Sequence, residues 1–129
     1  MSNYAYVATR ARSRRSRLLP AEAYNQLLNL EHAEIARYIQ DLEYRREIDR
    51  YGSTLSGADL IETALVDNLA KDVGDFLSFS KGKLRDILHV YAEKYRIENL
   101  KNIVRGINQN MDKQNLERLV CPINDSDKE

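Results

Sequence analysis

The sequence is poor in the residues that make crosslinks, tight turns and metal sites. It has one cysteine in 129 residues, Cys121, which excludes an internal disulfide and a multi-cysteine zinc site. Two prolines and five glycines are too few for an all-β sandwich with its many tight turns. Trp is absent and Phe occurs twice, whereas Tyr occurs eight times. No apolar run approaches the ~20 residues needed to span a bilayer. The Arg-rich N-terminus has no continuous apolar stretch, so it does not read as a secretory signal. The 20 basic and 20 acidic residues cancel, which disfavours a globally basic nucleic-acid binder but leaves room for a local patch. What is present, 43% hydrophobic and 31% charged residues, suits one soluble, reduced, helical domain.

The charge is unevenly spread. Residues 1–18 carry Arg10, Arg12, Arg14, Arg15 and Arg17 and no acid, a local balance of +5, and the remainder balances at −5. A positive arm on a mildly acidic body either folds against that body or meets an acidic partner.

Periodicity predicts helices almost throughout. The first runs from about Asn3 to Leu18, with Tyr4, Val7, Ala8, Ala11 and Leu18 near one side and Tyr6, Arg10, Arg14 and Arg17 on an adjacent stripe. Pro20 stops it and suits the start of the next. The second spans about Pro20 to Leu30, with Tyr24, Leu27 and Leu28 inward; the third spans about His32 to Leu42, with Ile35, Ile39 and Leu42 inward. Glu43 to Tyr51 reads as a short helix or a loop, and Gly52-Ser53 and Ser56-Gly57 bracket a turn. From Ser56, a plausible N-cap, to about Ser80, residues such as Leu60, Ala64, Val73 and Leu77 form a broad apolar face. Ser80 to Gly82 is a short connection.

Lys83 to Met111 poses a phase problem. Leu84, Ile87, Leu88, Tyr91 and Tyr95 form one stripe, and Leu100, Ile103, Val104, Ile107 and Met111 repeat that spacing later. The repeat lies about 16 residues on, which turns the face by roughly 160°. A break near Arg96 to Asn99, with Asn99 capping a new helix, is the simpler expectation. The alternative is one continuous helix with partners on both sides. The expected domain is a single helical unit over 1–120, with a flexible tail over 121–129.

Catalytic patterns are scarce. His32 and His89 lie far apart and have no cysteine partners, and Glu31-His32-Ala33-Glu34 lacks the paired histidines of a zincin. Gly82-Lys83 lacks the upstream Gly and the following Ser or Thr of a phosphate-binding loop. Ser78-Phe79-Ser80-Lys81 matches a Ser-x-x-Lys string without the other serine-acylase elements. Asp72 and Asp75 share a helix face and read as its solvated side. Cys121 has no nearby His to activate it. No catalytic residue, metal or cofactor is expected.

Binding is better represented. Arg10, Arg14 and Arg17 offer an electrostatic contact for an acidic protein, phospholipid or phosphate, against the plain reading of a solvated helix face. Tyr24, Tyr38, Tyr44, Tyr51, Tyr91 and Tyr95 suit the rim of a core, where a ring is buried and its hydroxyl stays wet.

The string Tyr4-Ala5-Tyr6-Val7-Ala8-Thr9-Arg10-Ala11-Arg12, followed by Leu18-Leu19, resembles the opening of the C subunit of archaeal A-type and V-type ATPases, whose eukaryotic equivalent is the d subunit. Leu19-Pro20-Ala21-Glu22-Ala23-Tyr24-Asn25-Gln26-Leu27-Leu28 is similar to that family's second helix. Tyr95-Arg96-Ile97-Glu98-Asn99-Leu100-Lys101-Asn102-Ile103-Val104-Arg105 is similar to a family pattern of Tyr, an acid, an aliphatic, any residue, Asn, an aliphatic, Lys, then aliphatics and Arg. Arg96 stands where that pattern has an acid.

The resemblance implies an all-α fold, a compact multi-helix unit that is one of three related helical units in a funnel, at about one third of the family's length. A fragment, a truncated product and a stand-alone relative all fit that length. It also implies a non-catalytic central-stalk subunit, placed at the cytoplasmic face of the membrane. A part of this kind couples the ATP-hydrolysing or ATP-synthesising head to the membrane rotor ring for proton or sodium transport. Its partners are rotor-ring and central-stalk subunits, with no small-molecule substrate and no cofactor. Tyr4, Tyr6, Tyr95, Asn99, Lys101 and Arg105 are family-pattern residues of structural character; Arg10, Arg14 and Arg17 are the expected partner-facing stripe. The competing reading is a small helical nucleic-acid or regulatory protein-binding module that uses the same basic helix.

Overall fold

The computed structural model describes residues 3–123. All regular structure among them is helical: α1 (Tyr4–Arg15), α2 (Ala21–Leu27), α3 (His32–Gln40), α4 (Arg45–Tyr51), α5 (Gly57–Phe79), α6 (Lys83–Asn108) and α7 (Lys113–Arg118). The fold class is therefore the all-α one that the spacing of apolar residues predicts. From residue 124 onward, the expected tail lies outside the described residues. The chain divides into two compact units, Ala8–Asn68 and the combination of residues 3–7 with 69–123.

In the unit Ala8–Asn68 the core is small. Ile39 of α3, Ile48 of α4 and Leu60 and Ala64 of α5 are buried together, with Tyr38, Tyr44 and Tyr51 packed at the edge. The segment that reads from sequence as either helix or loop is a helix, because Ile48 enters this core. Its neighbour Glu47 is buried too, at 3% exposure. The α3–α4 pair is braced by the Gln40 amide, which donates to Asp49 Oδ1 at 2.6 Å. At the start of α3, the Glu31 N–H donates to Glu34 Oε2 at 3.0 Å, which satisfies one of the otherwise orphaned first-turn donors. In α2 it is Ala23 that is buried, while Tyr24 and Leu28 are exposed. That corrects the inward placement of Tyr24 and Leu28. A helix of seven residues has one narrow buried line, and a small residue occupies it.

In the other unit, the N-terminal residues pack on the end of α5. Asn3 donates from Nδ2 to the Phe79 carbonyl at 2.8 Å and accepts from the Lys81 N–H at 2.9 Å. The Tyr6 ring meets Phe79 edge to face at 5.9 Å, a favoured geometry for aromatic pairs. The α5–α6 connection is tight. Ser80 is buried and its Oγ donates to the Phe76 carbonyl at 2.5 Å. Gly82 then takes φ +58° and ψ −146°, a conformation that a β-carbon opposes.

Helix α6 runs without interruption from Lys83 to Asn108, so the expected break near Arg96 to Asn99 is absent and Asn99 caps nothing. No Gly or Pro lies between Gly82 and Gly106 to end the helix. The phase conflict is resolved by exposure. Ala92 and Gly106 are buried and Tyr95 and Asn99 are partly buried on the inner side, whereas Ile97, Leu100, Val104 and Ile107 are exposed. The inner side thus joins Ala92, Asn99 and Gly106 to the partly buried Leu84, Leu88, Tyr95 and Ile103, and Ile97, Leu100, Val104 and Ile107 lie on the exposed side.

Beyond α6 the chain reverses through Asn110, whose φ is +55°, a left-handed value that Asn tolerates. The Met111 N–H bonds back to the Gly106 carbonyl at 2.9 Å. Asp112 caps α7, accepting from the Asn115 N–H at 2.8 Å. Apolar spacing gives no sign of this helix. It packs on α6 at Gly106, where an added Cβ would lie 2.2 Å from Leu116 Cδ2.

Candidate partner-binding surfaces

The arginine stripe begins on the last two turns of α1. Arg10 and Arg14 lie one turn apart on the helix, and Arg17 follows in the turn beyond it. At 100° per residue Arg10 and Arg14 lie roughly 40° apart on one side of the helix. Arg12, Arg14 and Arg15 occupy the last turn, where positive charge complements the partial negative charge of a helix C-terminus. Helix polarity therefore accounts for part of this charge. Arg10 and Arg17 are exposed, while Arg14 is partly buried. Arg17 Nη1 contacts Glu43 Oε2 at 3.1 Å, with both side chains about half exposed.

A second constellation lies on the inner side of α6. The Asn99 amide donates from Nδ2 to the Cys121 carbonyl at 2.8 Å and accepts from the Cys121 N–H at 2.8 Å. One side chain thus satisfies both backbone polar groups of one residue, as a neighbouring strand would. One turn on, Asn102 Nδ2 donates to the Leu119 carbonyl at 3.0 Å. The chain after α7 is held against α6 by amides rather than by apolar contact alone. Sequence reasoning missed Asn3 and Asn102. The usable signal was an amide side chain at a position otherwise suited to a helix interior, where Asn is a poor helix former.

Tyr95 lies one turn before Asn99. Its ring meets Tyr91 edge to face at 5.9 Å and the two hydroxyls are 3.4 Å apart. The hydrogen bond with Tyr91, followed by burial and by the neighbouring charges of Tyr91 and Cys121, pushes the Tyr95 hydroxyl up to about 12. The Lys94 ammonium lies 5.4 Å from the Tyr91 ring centre and 5.2 Å from that of Tyr95, within cation–π range.

The remaining family-pattern residues are placed as follows. Tyr4 is exposed on α1 and Tyr6 leans on Phe79. Lys101 Nζ donates to Glu98 Oε1 at 2.8 Å, and this bond holds the Glu98 carboxyl below its usual range. Arg105 is exposed on α6 and its carbonyl accepts from the Gln109 N–H at 3.1 Å, part of the helix C-cap. Asn99 therefore holds Cys121 and Tyr95 lies one turn before it, whereas Lys101 and Arg105 are on the exposed side of α6. Among the described residues, no group of three or more His, Cys, Asp or Glu side chains could hold a metal ion, and no helix is long and apolar enough to cross a membrane.

The family model for the ATP synthase (C/AC39) subunit matches residues 7–128. The A-type ATP synthase C subunit of Haloferax volcanii is 40% identical over 116 residues, 90% of this chain and 33% of that protein. The C subunit of Methanosarcina mazei is 42% identical over 105 residues, 81% of this chain and 29% of that protein. That of Archaeoglobus fulgidus is 35% identical over 124 residues, 96% of this chain and 36% of that protein. The chain thus spans about a third of the length of the curated relatives it matches. No solved structure matches it. On the family match and these identities, the chain belongs to the ATP synthase (C/AC39) subunit family.

Proposed function

We propose that the chain acts as a non-catalytic central-stalk component of a rotary A- or V-type ATPase. It sits peripherally at the cytoplasmic face of the membrane and couples the ATP-hydrolysing or ATP-synthesising head to the membrane rotor ring. The transported ion is a proton or sodium. The observation that carries this reading is 40% identity to an A-type ATP synthase C subunit across 90% of the chain. The internal organisation supports it. Polar side chains such as Asn3 and Asn99 brace backbone segments rather than converge on a space for substrate.

In this reading Arg10, Arg14 and Arg17 face an acidic surface of a rotor-ring or stalk partner. The Arg17–Glu43 pair is exposed on both sides, and such pairs are worth no more than about 1 kcal/mol. A partner carboxylate replaces Glu43 at little cost. The test is co-purification of the tagged chain with the ATPase from solubilised membranes. The wild-type chain is expected to bring down head and rotor subunits, and Arg10→Glu, Arg14→Glu and Arg17→Glu together are expected to weaken that capture. Full capture by the triple variant, with its helical circular dichroism intact, would remove the stripe from the account. Absence of ATPase subunits from the wild-type capture would remove the stalk reading itself.

A further inference from the structure

From Gln109 to Ile123 the chain lies on α6 without a single buried residue. Met111, Leu116, Val120, Cys121 and Ile123 are partly buried and the others are exposed. Its ties to α6 fall in a line. Leu116 rests on Gly106, whose carbonyl also accepts from the Met111 N–H at 2.9 Å. Asn102 Nδ2 donates to the Leu119 carbonyl at 3.0 Å, and the Asn99 amide holds both backbone groups of Cys121. Asn99, Asn102 and Gly106 stand three and four residues apart, so they share one side of α6. After its reversal at Asn110 the chain therefore runs back along the helix, and Leu116, Leu119 and Cys121 meet Gly106, Asn102 and Asn99 in turn.

These ties depend on one another. Helix α7 has six residues, whereas an isolated helix needs about 12–15 to form in water. It persists only while Leu116 stays on Gly106. Leu119 ends α7, so when α7 unwinds, the spacing that brings Leu119 to Asn102 and Cys121 to Asn99 is lost. Segments with few buried apolar contacts and exposed backbone hydrogen bonds open below the free energy of global unfolding.

We propose that residues 109–123 form a strap that opens from α6 as one cooperative unit while the rest of the chain stays folded, with Asn99 as its clasp. Opening bares Asn99, Asn102 and Gly106 on α6 and releases the Cys121 backbone and thiol together. The strap is defined by contacts within this chain and owes nothing to the stalk reading.

The experiment is native-state hydrogen exchange of the full chain in sub-denaturing urea. The Leu116, Leu119 and Cys121 amides are expected to share one opening equilibrium. Its urea slope is expected to be no more than about a quarter of the slope for global unfolding, because the slope scales with the surface exposed. Amides near Ala92 are expected to follow the global slope. Two variants read the coupling at the far end from the change. Asn99→Ala is expected to speed exchange at Leu116 and Leu119 by roughly 5- to 150-fold. Leu116→Ala, five positions from Cys121, is expected to speed exchange at the Cys121 amide by at least about tenfold. A strap slope equal to the global one overturns the proposal, as does a Cys121 amide that is unprotected in the wild-type chain. Graded protection that falls steadily from Leu116 to Cys121, or variants whose effect stays at the altered end, shows fraying and overturns it too. Should either variant fail to fold, the wild-type slopes decide alone.

Discussion

Asn99 and Cys121 lie 22 positions apart and share two hydrogen bonds of 2.8 Å, one in each direction, between an amide side chain and a single backbone residue. Both are partly buried, where an unpaired amide or peptide group costs about 1–3 kcal/mol. Asn99→Ala removes both bonds and is expected to lower stability by about that amount. The lone thiol reports on the segment directly. Its labelling by an aromatic disulfide reagent is expected to speed up in Asn99→Ala, and the Cys121 amide is expected to lose hydrogen-exchange protection. Asn99→Asp keeps an acceptor and loses the donor, so its effect on the Cys121 amide is expected to be smaller.

Gly106 and Leu116 are coupled by contact rather than by charge. In the helix, Ala is favoured over Gly by about 1 kcal/mol, yet an added Cβ meets Leu116 Cδ2 at 2.2 Å and Met111 Sδ at 3.3 Å. Gly106→Ala in the wild-type background is therefore expected to gain little or to destabilise. In the Leu116→Ala background the same change is expected to stabilise by about 1 kcal/mol. A double-mutant cycle by urea unfolding measures the difference; additivity would mean that α7 does not rest on Gly106.

Glu47 is 3% exposed beside Ile48, and its Oε2 has no hydrogen-bond partner. A buried, unsatisfied carboxylate oxygen is a net cost to folding. Glu47→Met, close in volume and a good helix former, is expected to stabilise the chain by about 1–3 kcal/mol. A loss of stability in thermal or urea unfolding would show that the carboxylate is needed where it stands.

These side chains also show which parts of the molecule were legible in its sequence. Helices α1, α2, α3 and α5 followed from apolar spacing and from Pro20, Gly52 and Gly57 as punctuation, whereas α4 is open between helix and loop in the sequence and is settled only by Ile48 in the core. The course of α6 did not, because periodicity identifies a stripe without saying which side of the helix is buried. Leu100, Val104 and Ile107 look like core and are exposed, while Ala92, Asn99 and Gly106 look unremarkable and face inward. Asn99 could be picked out by resemblance, but its bonds to Cys121 depend on a reversal at Asn110 and on α7, both set by tertiary contacts. The charge asymmetry of the arm was legible; the contact of Arg17 with Glu43 was not, because it joins residues 26 apart.

Tyr95 and Tyr91 give the chain an alkaline signature. The Tyr95 hydroxyl is raised from 10.0 to about 12, first by its hydrogen bond with Tyr91. A raised value favours the neutral form in the folded state. The stabilisation is therefore complete below pH 10 and is lost as pH rises from 10 toward about 12. Phenolate absorbance is expected to show Tyr95 titrating late in the folded chain, alongside Tyr51, whose hydroxyl is also raised, by burial and by the nearby Asp67. In Tyr91→Phe, Tyr95 is expected to ionise nearer 10.0, the ordinary tyrosine value. An unchanged titration curve in that variant would contradict the contact.

The central claim, that this chain is a stalk part of a rotary ATPase, is tested most directly by native mass spectrometry of the detergent-released ATPase from cells that express the tagged chain. The account predicts an intact assembly in which the chain's mass appears together with head and rotor-ring subunits. An assembly recovered whole without the chain, while the chain itself runs apart from it, would contradict the account.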